Sequence, residues 1–132
     1  MSLNVTIDAS QKVVVVKFTE EVKDADLIKI ASETRAHPLF DPSFSEIVDF
    51  SAVTGGRVST FAVHTLAQRN SIYDRSSKHI VVAPQAHVFG LTRMYQAYAH
   101  ETRPNLEVVR TLEEAYERLG PDKTAGDRHN AK

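Results

Sequence analysis

The chain switches between two hydrophobic periods. Near the N-terminus Val5 and Ile7 are separated by polar residues, and the run "VVVVKF" (Val13–Phe18) follows after "DASQK". Alternation by two with a polar break predicts a β-hairpin whose second strand is well buried. In "KDADLIKIASETRAH" the period becomes helical. Leu27, Ile30, Ala31 and Thr34 share a face, and Asp24 or Asp26 is placed to cap the first turn. Pro38 and Pro42 end that helix in a loop. "SEIVDFSAV" (Ser45–Val53) reads as a third strand, and "VSTFAVHTLAQRN" as a second helix aligning Val58, Ala62, Leu66 and Arg69.

"KHIVVAP" is a short apolar strand stopped by Pro84. "AHVFGLTRMYQAYAHET" is a third helix with a stripe of Val88, Leu91, Thr92, Tyr95 and Ala99, ending before Pro104. "LEVVR" is a fifth strand. In the last helix Thr111 and Glu114 fit a capping box, Leu112, Ala115, Tyr116 and Leu119 form the apolar face, and Gly120-Pro121 is a stop. The order ββαβαβαβα predicts an α/β domain. Its sheet is mixed and mostly parallel, with about five strands covered by about four helices. No repeat or linker divides it, so one domain is expected over residues 1–120. Residues 121–132, "PDKTAGDRHNAK", carry no periodic apolar face and are expected to form a flexible polar tail.

Composition narrows the function classes. The chain has 132 residues, 42% hydrophobic and 25% charged, which fits a globular domain able to bury a core. Sixteen basic against 17 acidic residues give a net charge of −1, without the basic excess of a nucleic-acid binder. Cysteine is absent, so disulfides, thiolate metal sites and cysteine nucleophiles are excluded. No apolar run approaches the roughly 20 residues of a membrane helix, and the first ten residues do not read as a secretory signal. A cytoplasmic protein with no membrane insertion is the expectation.

Ligands of open α/β sheets bind beyond the carboxyl ends of the parallel strands. The richest loop there is "DFSAVTGGRVSTF" (Asp49–Phe61), in which Thr54, Gly55, Gly56, Arg57 and Ser59 are candidate binding residues. Gly-Gly permits positive φ or close backbone approach, Ser59 or Thr60 can cap the following helix, and a helix N-terminus favours an anion. Phosphate-loop spacing is missing, so a strand-to-helix turn with a hydroxyl cap is the favoured reading. His87 lies in the next loop. Arg93 is read either as an anion contact or as a stem covering apolar neighbours. Phe89, Tyr95 and Tyr98 are read as core or as an association patch. Six histidines (His37, His64, His79, His87, His100 and His129) show no metal-ligand spacing, and no nucleophile-elbow motif occurs. Neither a metal, a cofactor nor a catalytic constellation is expected.

Three stretches carry a family resemblance: "EIVDFSAVTG" (Glu46–Gly55), "IVVAPQAHVFGLTRMYQAYA" (Ile80–Ala99) and "LEVVRTLEEAYERLG" (Leu106–Gly120). With the ββαβαβαβα order, the chain resembles the STAS fold of anti-sigma-factor antagonists, and more narrowly the bacterial SpoIIAA-like, or STAS/SEC14-like, family. The resemblance implies a non-enzymatic regulatory or protein-interaction module that binds a protein partner or itself as a homodimer. Its alternative implication is a SEC14-like carrier or sensor of a small apolar or anionic ligand. Phosphorylated STAS antagonists read approximately Asp-Ser-Ser-Gly at the start of helix two. The corresponding stretch here is "TGGRVST", and neither Thr54, Ser59 nor Thr60 sits in that pattern.

Overall fold

A computed structural model describes residues 3–120; the expected tail falls outside the described residues. The elements are β1 (Leu3–Asp8), β2 (Val13–Lys23), α1 (Asp24–Ile28), α2 (Ile30–Ala36), β3 (Ser45–Arg57), α3 (Thr60–Gln68), β4 (His79–Val82), α4 (Ala86–Tyr98), β5 (Leu106–Val109) and α5 (Leu112–Leu119). The five strands lie in one sheet in the order β1-β2-β3-β4-β5. β1 and β2 pair antiparallel, and the remaining neighbours pair parallel. The expected mixed α/β architecture is therefore present. The first helical segment is two short helices, α1 and α2, meeting at Lys29.

Strand parity decides which face each side chain takes. Val14, Val16 and Phe18 of β2, Val48 of β3 and Val81 of β4 face a core shared with Leu27, Ala67 and Ala99 from the α1–α4 side. The alternate positions Val13, Ile47, Ile80, Val82 and Val109 face α5, through Ala115, Tyr116 and Leu119. A sheet that grows in one direction through crossovers of one hand collects its crossover helices on one side. α5 follows the last strand and covers the other.

The Gly-Gly stretch is not a turn. β3 continues through it to Arg57, pairing Gly55 with Glu21, Gly56 with Val22 and Arg57 with Lys23. The β2–β3 ladder outlasts the rest of the sheet because β2 runs equally far, with register shifts near Lys17–Thr19 and Glu20–Glu21. Glu20 takes a positive φ of 60° at the second shift, as a bulge does. The strand-to-helix passage is confined to Val58 and Ser59. The final helix starts on the expected cap, with Thr111 Oγ1 accepting from Glu114 N at 3.1 Å. Glu114 Oε1, however, accepts from Arg110 N at 3.2 Å, one residue before the position a full capping box requires. Thr111→Ala should therefore cost about 1 kcal/mol in urea melts, since it removes an N-cap acceptor; an unchanged midpoint would contradict the cap's contribution.

Candidate functional site

The side chains on the α1–α4 face do not fill the space between helices and sheet. A cavity of about 360 Å³ remains. Val48 and Phe50 of β3 and Val81 of β4 form its sheet wall, with Val63 and Leu66 of α3 and Val88 and Leu91 of α4 opposite. Toward the carboxyl edge of the sheet it is bordered by Ile28, Thr54, Gly55, Gly56 and His87. Ile28, Thr54, Gly55, Gly56 and His87 are all exposed, so this edge forms a mouth.

Gln85 braces the mouth. β3 runs on past the end of β4, so its later carbonyls have no β4 partner. Gln85 Nε2 donates to two of them, Phe50 O at 3.1 Å and Val53 O at 3.0 Å. The Gln85 Oε1 atom is buried with no partner.

The interacting ionisable groups lie at the opposite edge, which forms a floor. Glu46 and His79 pair across the starts of β3 and β4. They occupy the strand parity of Val48 and Val81, so both point to the cavity side, and they are only 8% and 4% exposed. His79 Nδ1 lies 3.0 Å from Glu46 Oε1, and Tyr73 donates its hydroxyl to Glu46 Oε2 at 3.3 Å. The Tyr73 ring stands edge-on to His79, with centroids 5.0 Å apart. Each carboxylate oxygen of Glu46 thus has its own partner, which a buried charge requires. Burial, then the nearby charge and hydrogen bond of Glu46, push the Tyr73 phenol far above its ordinary range. Tyr73 stays a donor.

Tyr95 and Arg103 complete the floor from the end of α4 and the loop beyond it. Burial pushes the Tyr95 phenol up to about 12, with Arg103 opposing the shift and Glu46 adding to it. Arg103 Cζ lies 5.8 Å from the Tyr95 ring centroid.

The residues singled out in the sequence divide among several places. Thr54, Gly55, Gly56 and His87 border the cavity. Arg57 and Ser59 instead line a shallow depression with Glu21, Lys23, Asp24, Ala25 and Gly56. Ser59 Oγ accepts from Ala62 N at 3.0 Å, capping α3, and donates to Asp24 Oδ2 at 2.8 Å; Ser59 N donates to Asp24 Oδ1 at 2.9 Å. A phosphate on Ser59 would meet the Asp24 carboxylate, a like charge. Asp24 therefore serves α3, while Asp26 accepts from Lys23 N at the start of α1.

Arg93 is exposed and does not border the cavity, because it lies off the inward stripe of α4. Tyr95 belongs to the cavity, on the core side of its two readings. Phe89 is half-buried with the Arg110 guanidinium 4.1 Å from its ring centroid. Tyr98 is 45% exposed and meets His64 edge-on at 4.7 Å.

Sequence reasoning missed Glu46, Tyr73, His79 and Arg103. A signal existed for two of them: an acid and a histidine standing on the buried parity of apolar strands. Among the described residues no group of three or more His, Asp or Glu side chains is placed to hold a metal, and no helix is long and apolar enough to cross a membrane. Comparison with family models, curated proteins and solved structures gives no match.

Proposed function

We propose that this chain is a non-enzymatic binding module of the SpoIIAA-like, STAS/SEC14-like kind, and that it carries or senses a small, mainly apolar molecule. The carrying observation is the cavity of about 360 Å³ between α3, α4 and the sheet. Ligand pockets typically begin at about 300 Å³, are lined mainly by apolar side chains and place a few polar groups at fixed points. This one has apolar walls, a polar floor and an exposed rim. The mixed five-stranded sheet, in the order ββαβαβαβα with α1 and α2 standing for the first helix, supports the STAS-like assignment. The neutral apolar dye N-phenyl-1-naphthylamine should bind one site per chain with enhanced fluorescence. Absence of saturable binding would overturn this reading.

A protein-binding role has its own support. Phe61 is 78% exposed, it lies one helical turn from His64, and His64 touches the exposed Tyr98. A two-fold dimer is the commonest cover for such a strip. Sedimentation velocity should show a dimer at micromolar concentration that Phe61→Ser with Tyr98→Ser converts to monomer; a strict monomer at high concentration would contradict it.

A further inference from the structure

The unused hydrogen-bonding capacity at the cavity floor specifies the ligand, granted the reading that the cavity holds one. Glu46 is already bonded through both oxygens, to His79 Nδ1 and the Tyr73 hydroxyl. His79 Nε2 has no partner among the described residues, nor has the Tyr95 hydroxyl. Arg103 uses Nη1 on Arg69 O at 3.1 Å and Thr102 Oγ1 at 2.9 Å, leaving its other N–H groups unbonded. A purely apolar occupant would leave His79 Nε2 and the Tyr95 hydroxyl without a partner, at about 1–3 kcal/mol each. The occupant therefore carries a hydrogen-bonding head.

A carboxyl group matches the set. One oxygen bonds His79 Nε2, and the proton of that bond can reside on either side of it. The second oxygen accepts from the Tyr95 hydroxyl. Arg103 supplies the cation, while Glu46 is already held by Tyr73 and His79. An alcohol has one oxygen and nothing for Arg103 to neutralise.

Shape selects the tail. The lining follows β3 from Glu46 to Val53, seven residue steps and about 23 Å of strand. A cavity of about 150 Å³ accepts a benzene ring. By that measure 360 Å³ accepts about 14 heavy atoms. That volume drawn out along such a length suits one extended alkyl chain. We propose that the cavity binds a single-chain carboxylic acid of about ten to fourteen carbons, its head on His79, Tyr95 and Arg103 and its tail running between α3 and α4 to the mouth.

The test is displacement of N-phenyl-1-naphthylamine from the full chain by dodecanoic acid and by dodecan-1-ol. The acid should displace the dye at a concentration about tenfold or more below the alcohol, a difference one charge-assisted hydrogen bond supplies. Tyr95→Phe breaks no hydrogen bond among the described residues, so the variant should fold as wild type does while the acid's advantage over the alcohol falls about tenfold. Arg103→Gln should narrow the gap between acid and alcohol. Equal displacement by acid and alcohol, or a Tyr95→Phe variant that holds the acid as tightly as wild type, would overturn the head-group assignment and leave the cavity reading standing. Failure of both dye and acid to bind would remove the cavity reading, and this inference with it.

Discussion

Gly56→Ala should destabilise the fold by about 3 kcal/mol or more, whereas Gly55→Ala should change stability by less than about 0.5 kcal/mol. Gly56 has φ +119°, a conformation that L side chains rarely adopt. A Cβ there would lie 2.9 Å from the Val22 carbonyl carbon and closer still to the Val22 oxygen and nitrogen. These are backbone atoms of the paired strand, so nothing can swing aside. The added Cβ would force β2 and β3 apart where they border the cavity mouth. At Gly55 the nearest atom to a new Cβ is Glu21 Cγ at 3.8 Å, an ordinary contact with a mobile side chain. The alanine would also restrict the unfolded chain, a small gain. Urea melts of both variants measure the contrast, and equal losses would mean that the ladder does not continue through the glycines.

The second large effect lies at the cavity floor. His79→Leu should cost about 3 kcal/mol or more, because it leaves the buried Glu46 carboxylate with only the Tyr73 hydroxyl. Removing one member of a buried pair costs more than removing both, so Glu46→Leu with His79→Leu should be more stable than His79→Leu alone. A double variant whose loss equals the sum of the two single losses would show that the residues are not coupled.

Much of the architecture was legible because strand parity and helix period are direct consequences of burial. Val14 and Val16 against Val13, and Val81 against Ile80 and Val82, sort to opposite faces as alternation requires. Thr111 and Ser59 were readable as caps because each is a hydroxyl just before an apolar-periodic run, and both accept a helix N–H as expected. Gly55 and Gly56 were misread for a physical reason. A glycine pair gives the same signal for a turn as for close strand approach, and only the partner strand distinguishes them. The register of β2 against β3 is a tertiary fact. Of the two readings of Arg93, anion contact or exposed stem, its angle off the stripe of Val88, Thr92 and Tyr95 favours the second, and it is exposed and off the cavity.

The floor was harder to see because its residues come from separated segments of the chain. Glu46 and His79 are 33 positions apart, and only the parallel pairing of β3 with β4 sets them side by side. Tyr73 arrives from the loop after α3, and Arg103 from the loop after α4. Nothing in local spacing announces that convergence. The empty volume is less legible still, since a stripe of Leu66, Val88 and Leu91 reads the same whether its neighbours close over it or stand apart.

Filling the cavity from both helical walls tests the central claim most directly. Leu66 on α3 and Leu91 on α4 are half-buried and face the same space. In the Leu66→Trp, Leu91→Trp double variant the indoles would occupy volume that the ligand needs, without breaking a hydrogen bond. Fluorescence titration with N-phenyl-1-naphthylamine should then show saturable one-site binding to the wild-type chain and none to the variant, with the variant's Tm equal or higher. Undiminished dye binding by a folded double variant would place the ligand elsewhere and contradict the account.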